Sequence, residues 1–235
     1  MKTYKYLFFD IDDTLLDFQA TEKEALRSLF AEQNMVLTSE DERRYKEINQ
    51  SLWNAYENGK IERDEVLNTR FSTFFKQYNL EVDGSVLEKK YRSYLEQGHQ
   101  LIDGAMELIM ELHPHYELYI VTNGVSKTQD RRLRDSGLYP YFKKVFVSED
   151  TGFQKPMKEF FDYVFDRIPS YTLGHGLIIG DSLSADIKGG QLSGIDTCWY
   201  NPLRKVNQSG VNPTYEIQHL KEIHEILPSM VKTSN

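Results

Sequence analysis

Three aspartates lie within four positions near the start of the 235-residue sequence, at Asp10, Asp12 and Asp13. They directly follow an apolar run over 4–9 that has the length and composition of a buried strand. Open α/β sheets bind their ligands beyond the carboxyl ends of the strands. Three anions this close repel one another, so a cation or water must balance them. The acidic turn therefore indicates either a metal-assisted site or a plain solvated loop.

Polar residues also follow three later apolar runs. They are Thr122 and Asn123, then Lys155, then Asp181, Ser182 and Asp186. If these runs are parallel strands, their carboxyl ends meet at one edge of the sheet, and residues distant in sequence converge there. Each group alone has a plainer interpretation, as a helix cap or a surface lysine. Their occurrence in this order, each at its own strand end, favours one shared site.

The elements that would position these residues alternate between strand and helix after residue 104. The pattern predicts strands at 117–121, 145–147, 177–179 and 196–200, helices at 104–112, 125–136, 157–167 and 184–192, and a last helix carrying Ile217, Leu220, Ile223 and Leu227. Such alternation is typical of an α/β fold, a doubly wound parallel sheet with helices on both faces. The tail after Val231 is predicted to be disordered.

The stretch from 16 to 98 differs, because its apolar residues recur at helical spacing only. Four such helices are separated by turn signals, among them Asn58-Gly59 and Asp83-Gly84. We therefore predict an all-helical domain over 16–98, inserted into an α/β core domain made of 1–15 and 99–235.

Composition argues against two classes of partner. The net charge of -8 and pI near 5.3 argue against binding to a nucleic-acid polymer or an anionic membrane, but not against a small anionic substrate.

The single cysteine, Cys198, cannot form an internal disulfide, which fits a reducing cytoplasm. No apolar run reaches the length of a membrane-spanning helix. We expect a cytoplasmic monomer or weak homodimer.

The polar residues at the strand ends suit phosphoryl transfer. Carboxylates of Asp10 and Asp181, with the backbone carbonyl of Asp12, could hold Mg²⁺, which prefers oxygen ligands. The ion would let Asp10 approach a dianionic phosphate and attack phosphorus to form an aspartyl-phosphate. Asp12 would protonate the leaving oxygen and later deprotonate the attacking water.

Four further residues would support that reaction. Thr122, Asn123 and their neighbouring N–H groups would bind the phosphate oxygens together with Lys155. Asp186 would anchor Lys155 or a metal-bound water. The predicted catalytic residues are thus Asp10, Asp12, Thr122 and Lys155.

These residues form four ordered motifs that resemble those of the haloacid dehalogenase (HAD) superfamily, and the resemblance covers the chain apart from its last few residues. The motifs are Asp10-Ile11-Asp12-Asp13-Thr14, Thr122-Asn123, Lys155-Pro156 and Gly180-Asp181-Ser182-Leu183-Ser184-Ala185-Asp186. The resemblance implies a Rossmann-like core with an inserted helical cap whose residues choose the substrate. Asp12 favours a phosphatase over a dehalogenase, because a halide leaving group needs no proton. A phosphosugar mutase remains an alternative.

The helical stretch carries a finer resemblance. Asn49-Gln50-Ser51-Leu52-Trp53 and Glu57-Asn58-Gly59-Lys60-Ile61 are similar to the HAD branch of 5′-nucleotidases that act on pyrimidine nucleoside monophosphates. Trp53 or Tyr56 could then stack on the base, although both rings could instead pack inside the helical domain. The alternatives are a phosphatase of a small sugar phosphate or phosphoglycolate, and a binding protein that kept the fold without turnover.

Overall fold

The computed structural model describes residues 2–227, so the predicted disorder after Val231 lies outside the described residues. The chain forms two compact units. One consists of Met1–Asp17 and Leu101–Asn235, and the other is Phe18–Gln100. No helix within residues 2–227 combines the length and the apolar character needed to cross a bilayer.

A six-stranded sheet, counted within residues 2–227, runs through the first unit. Its strands are β1 (Tyr6–Phe9), β2 (Glu117–Thr122), β3 (Lys144–Val147), β4 (Gly176–Gly180), β5 (Asp196–Tyr200) and β6 (Tyr215–Ile217). Their order is β3-β2-β1-β4-β5-β6, and every neighbouring pair is parallel. The predicted α/β parallel sheet is thereby confirmed, with the acidic turn after one of its two central strands.

Ten α-helices also lie within residues 2–227. They are α1 (Phe18–Glu32), α2 (Ser39–Glu57), α3 (Arg63–Lys76), α4 (Gly84–Leu95), α5 (Ala105–Leu112), α6 (Ser126–Asp135), α7 (Ser148–Thr151), α8 (Lys158–Phe165), α9 (Lys188–Leu192) and α10 (Ile223–Ile226). The first four form the second unit, and the others belong to the first unit.

The sheet separates two apolar cores, because side chains alternate between the faces of a strand. Leu7 and Phe9 of β1 lie in one core, which also contains Leu108 of α5. Tyr6 and Phe8 lie in the other core, which includes residues of α8. Since both faces of β1 are covered, its sequence is a continuous apolar run, and this explains why the run ends abruptly where the polar edge of the sheet begins.

The helical unit has an aromatic core with one buried ion pair. Phe71, Phe74 and Phe75 of α3 pack there at helical spacing. Arg70 is 2% exposed and donates to the Glu88 carboxylate from Nη2 at 2.5 Å and from Nε at 2.8 Å. Two hydrogen bonds to one carboxylate oxygen offset part of the cost of burying both charges.

The last predicted helix was expected to carry Ile217, Leu220, Ile223 and Leu227. The prediction is wrong for the first half of this segment. Ile217 ends β6, a short 3₁₀ turn follows at Leu220–Glu222, and only α10 is α-helical. Thr214, just before β6, is held beside Thr197 of β5, because each backbone N–H donates to the other's hydroxyl, at 3.1 and 3.0 Å. These bonds favour the pairing of the segment with β5 as a sixth strand, which apolar spacing alone could not reveal.

The predicted helix over 184–192 also begins differently. A π-helical turn, Leu183–Ile187, precedes α9, and the Ile187 N–H donates to the Ser182 carbonyl at 3.1 Å. Single π turns are frequently found at functional sites. Here the wider turn contains Asp186, which is buried beside the end of β4.

Candidate active site

The acidic turn leaves the sheet directly after β1. The Asp10 N–H still donates to the Ile179 carbonyl of β4 at 3.0 Å, so this residue continues the sheet and is only 7% exposed. Beyond it, Asp13 adopts a positive φ of 55°, and its N–H donates to the Leu16 carbonyl at 2.8 Å. The chain therefore reverses tightly after Asp10, with this first aspartate held at the sheet edge.

Lys155 is brought to the same edge from the loop after β3 and α7. Its Nζ donates to Asp10 Oδ1 at 2.7 Å, to Asp186 Oδ1 at 2.6 Å and to the Val121 carbonyl at 2.8 Å. Burial disfavours the ammonium charge, but the carboxylates of Asp10 and Asp186 outweigh it and raise the Lys155 pKa above its usual value. The lysine is therefore a buried, permanently charged centre of the site.

Asn123 holds Lys155 in place through the backbone. Its Oδ1 accepts from the Lys155 N–H and its Nδ2 donates to the Lys155 carbonyl, both at 2.9 Å. The sequence predicts Asn123 among the substrate-binding residues, and this stays a prediction. In the structure its side chain joins the end of β2 to the lysine loop, because its amide bonds with both backbone groups of Lys155.

Asp186 is fixed from two sides. Its Oδ1 accepts from Lys155, and its Oδ2 accepts from the Ser182 N–H at 3.0 Å. A Cβ at Gly180 would lie 2.3 Å from the Asp186 carboxyl carbon, so glycine is required at the end of β4 for this close approach. The arrangement corresponds to the support of Lys155 that the sequence predicts for Asp186.

Asp12 and Thr122 are linked by two residues that the sequence analysis missed. Gln129 Nε2 donates to Asp12 Oδ2 at 2.8 Å and to Thr122 Oγ1 at 3.0 Å. Arg132 Nη1 donates to Asp12 Oδ1 at 2.5 Å. Both donors lie on α6, whose one large apolar residue is Leu133. That scarcity of apolar residues in a helix packed on a sheet was the available signal that some polar side chains must point inward.

Asp181 completes a group of three carboxylates. Asp10, Asp181 and Asp186 each offer an oxygen, and these atoms lie within 4.8 Å of one another. Burial, together with Asp10 and Asp186, raises the pKa of Asp181 well above its usual value. Burial also raises the Asp10 pKa to about 8, against the opposing effect of Lys155.

This cluster fits a magnesium ion. Lys155 contributes one positive charge beside three carboxylates, so negative charge remains to be balanced, and hard oxygen donors are the ligands that Mg²⁺ prefers. The predicted ligands were Asp10, the Asp12 carbonyl and Asp181. The structure adds Asp186 to the nearby carboxylates, while the Asp12 side chain bonds with α6.

We expect Mg²⁺ to raise the melting temperature of the protein by several degrees over an EDTA-treated sample, because an ion that binds only the folded state stabilises it by about 3 kcal/mol at a hundred times its Kd. Thermal unfolding of wild type and Asp181→Asn, with and without Mg²⁺, measures this. The variant should lose most of the increase. Asp166→Asn, altered at an exposed position, should keep it. An equal increase in Asp181→Asn would contradict the assignment.

Three related proteins align with nearly the whole sequence. The putative HAD-hydrolase YfnB of Bacillus subtilis is 63% identical, and the alignment covers 97% of each chain. The pyrimidine 5′-nucleotidase PynA of Streptococcus pneumoniae is 42% identical over 95% of each chain. The pyrimidine 5′-nucleotidase YjjG of Escherichia coli is 30% identical over 95% of this chain and 98% of its own.

A structural comparison and a family model agree with these sequence relatives. The crystal structure of B. subtilis YfnB bound to magnesium superposes with a TM-score of 0.92, covering 96% of this chain and 99% of that one. The family model described as haloacid dehalogenase-like hydrolase matches residues 7–200, which include all four motifs. The chain therefore belongs to the haloacid dehalogenase-like hydrolase family.

Proposed function

We propose that the protein is a Mg²⁺-dependent phosphomonoester hydrolase that acts through an aspartyl-phosphate on Asp10, with pyrimidine nucleoside 5′-monophosphates as substrates. The observation that carries the proposal is the pair of carboxylates on one turn with different partners. Asp10 is bonded to Lys155 in the metal-binding cluster, whereas Asp12 is bonded to Arg132 outside it. Separate environments suit separate roles, those of nucleophile and of acid and base.

In the first step, an Asp10 carboxylate oxygen attacks phosphorus, and the bond from phosphorus to the ester oxygen breaks. Asp12 gives its proton to that oxygen, and the alcohol leaves. Lys155 holds Asp10 in place and contributes positive charge, and Thr122 lies at the end of β2 to bind a phosphate oxygen. A bound Mg²⁺ would neutralise the repulsion between the carboxylates and the phosphate.

In the second step, water attacks the phosphorus of the aspartyl-phosphate. Asp12, now a carboxylate, takes the proton from this water, and the bond between phosphorus and Asp10 breaks. Inorganic phosphate leaves, and both aspartates return to their starting protonation states. A halide would need no proton, so the presence of Asp12 supports an ester substrate over a haloacid.

The choice of a nucleotide rests on the relatives and on the helical unit, which we propose is the cap domain of the α/β core. PynA and YjjG support pyrimidine nucleotides. Trp53 is partly exposed and packs edge-on against Tyr56, with ring centroids 5.8 Å apart, whereas Tyr56 is 6% exposed. We therefore assign base stacking to Trp53 and its support to Tyr56.

Phosphate release from dUMP, dTMP, UMP, ribose 5-phosphate and phosphoglycolate, measured with Mg²⁺, tests this assignment. We expect the pyrimidine nucleotides to have the highest kcat/KM. Trp53→Ala should raise KM for nucleotides about tenfold, because base stacking contributes about 1–3 kcal/mol. It should leave ribose 5-phosphate turnover unchanged, and Trp53→Phe should keep most of the nucleotide affinity.

Three outcomes would change the proposal. Preference for ribose 5-phosphate or phosphoglycolate would keep the core chemistry and remove the nucleotidase assignment. Absence of phosphate release from every ester would remove the hydrolase assignment itself. Conversion of a sugar phosphate to its isomer without phosphate release would indicate a mutase.

A further inference from the structure

Helix α6 turns two long polar side chains into the interior of the α/β unit. Gln129 and Arg132 lie three residues apart, on one face of the helix, and each is 1% exposed. A buried guanidinium costs several kcal/mol unless its charge is paired. Arg132 forms an ion pair with the carboxylate of Asp12, the residue that must move a proton in the proposed reaction.

The two donors bind different oxygens of that carboxylate. Arg132 Nη1 donates to Oδ1 and Gln129 Nε2 donates to Oδ2, at 2.5 and 2.8 Å. One donor alone would leave the carboxyl group able to rotate about its own axis. Two donors on two oxygens fix both the direction of the side chain and the plane of the group. This matters because Asp12 lies on a turn and its side chain is 31% exposed.

The orientation of the Gln129 amide is itself determined. Its Oε1 accepts from Arg132 Nη1 at 3.0 Å, so its Nε2 must face Asp12 and Thr122, to which it donates. The amide thus connects the proposed acid and base with a proposed phosphate-binding hydroxyl. The four side chains form one network that spans the ends of β1 and β2.

The backbone after β2 is shaped for the same contact. A Cβ at Gly124 would lie 2.5 Å from Gln129 Nε2, closer than real Cβ atoms approach other heavy atoms. Any larger residue at 124 would displace the glutamine. The glycine that follows Thr122-Asn123 therefore serves the approach of α6 to the site, which is an observation independent of the hydrogen bonds.

We propose that Gln129 and Arg132 are positioning residues that hold the Asp12 carboxylate in the orientation from which it transfers protons to the leaving oxygen and from the attacking water. The inference rests on the proposed hydrolase function. Fixing a reacting group in its productive geometry removes orientational freedom that each turnover would otherwise lose. The competing explanation is an ion pair that only holds α6 on the sheet, and leaving-group dependence separates the two.

The test compares benzyl phosphate with 4-nitrophenyl phosphate, two esters of similar size. Benzyl alcohol needs a proton to leave, whereas 4-nitrophenolate does not. For Arg132→Met and Gln129→Met we expect kcat/KM on benzyl phosphate to fall about 10- to 100-fold, a large part of what general acid catalysis supplies. We expect kcat/KM on 4-nitrophenyl phosphate to fall less than about threefold, because kcat/KM covers only the steps up to departure of the leaving group and excludes the step in which Asp12 acts as base.

The control is Arg134→Met on the same helix, where an exposed arginine pairs with Asp130. This variant should hydrolyse both esters at the wild-type rate. The ratio of the two rates is the deciding quantity, because a reduced fraction of folded enzyme lowers both rates equally. Arg132→Met combined with Asp12→Asn should lose no more on benzyl phosphate than Asp12→Asn alone, since there is then no acid to position.

Equal losses on both esters, or additive losses in the double variant, would overturn the inference in favour of a structural ion pair. Wild-type protein that hydrolyses neither ester, nor any nucleotide, would instead refute the proposed function. Crystal structures of wild type and Arg132→Met test the positioning role without relying on turnover. A single Asp12 rotamer in wild type and several in the variant would support it, and the same single rotamer in both would overturn it.

Discussion

Asp10→Asn is expected to abolish phosphate release and at the same time to raise the melting temperature of the metal-free protein near neutral pH. An amide cannot form the acyl-phosphate, so turnover should fall by at least about 10⁴-fold, in the range typical for loss of a nucleophile. The gain in stability has a separate cause, which lies in the electrostatics of the cluster around Asp10.

The burial of Asp10 raises its pKa from 3.8 to about 8, with Lys155 opposing and Asp186 adding to the rise. The folded state therefore binds a proton that the unfolded state releases between about pH 4 and pH 8. Within this window, stability must fall as pH rises, because the unfolded state binds fewer protons. Asparagine carries no charge to bury, so the stability of the variant lacks this contribution to the fall with rising pH.

Thermal unfolding in EDTA from pH 5 to pH 8 measures the effect. The melting temperature of wild type should fall more steeply with rising pH than that of Asp10→Asn. The difference between the two melting temperatures should be largest at pH 8. Asp166→Asn is the matched control, because it removes an exposed carboxylate, and it should follow wild type. Retention of more than about a tenth of wild-type turnover in Asp10→Asn would exclude this residue as the nucleophile.

The part of the site that the sequence could predict is the part made at strand ends. Asp10 and Lys155 stand out because an apolar run or its loop ends at a polar residue, and parallel strands bring such ends together. Once the strands are known to be parallel, no further information is needed to place Asp10 and Lys155 near each other. The structure accordingly joins Asp10 and Lys155, 145 residues apart in sequence, at 2.7 Å.

What the sequence could not reveal depends on tertiary burial. Gln129 and Arg132 look like solvent-exposed residues of a charged helix until α6 is seen packed on the acidic turn. Similarly, β6 has only three residues, and their spacing suits a helix until Thr197 and Thr214 pair across the strands. In each case polar groups determine the arrangement, and hydrophobic periodicity carries no information about polar partners.

The largest loss of stability is expected from Lys155→Met. The lysine makes three hydrogen bonds, and its removal leaves the Val121 carbonyl and the facing oxygens of Asp10 and Asp186 without that donor. Removing one partner of a buried ion pair costs about 3–5 kcal/mol, since the remaining charges stay buried. For a chain of this size the melting temperature should fall by on the order of ten degrees.

Turnover should fall as well, by at least about 10³-fold, because the positive charge beside the nucleophile is lost. Activity is therefore measured at a temperature well below the melting temperature of the variant. Lys158→Met is the matched control, since that lysine is exposed and pairs with Asp162 at the surface. Surface pairs contribute about 0–1 kcal/mol, so this control should unfold and react like wild type.

Combining Lys155→Met with Asp10→Asn provides the sharper test of the cluster. If the penalty in Lys155→Met comes from unpaired carboxylates, then neutralising Asp10 should restore part of the lost stability, although neither change restores turnover. Additive losses would indicate instead that methionine merely packs badly. Recovery in the double variant would show that Lys155 stabilises the fold by balancing the same negative charge that the proposed reaction uses, which couples stability and chemistry at this edge of the sheet.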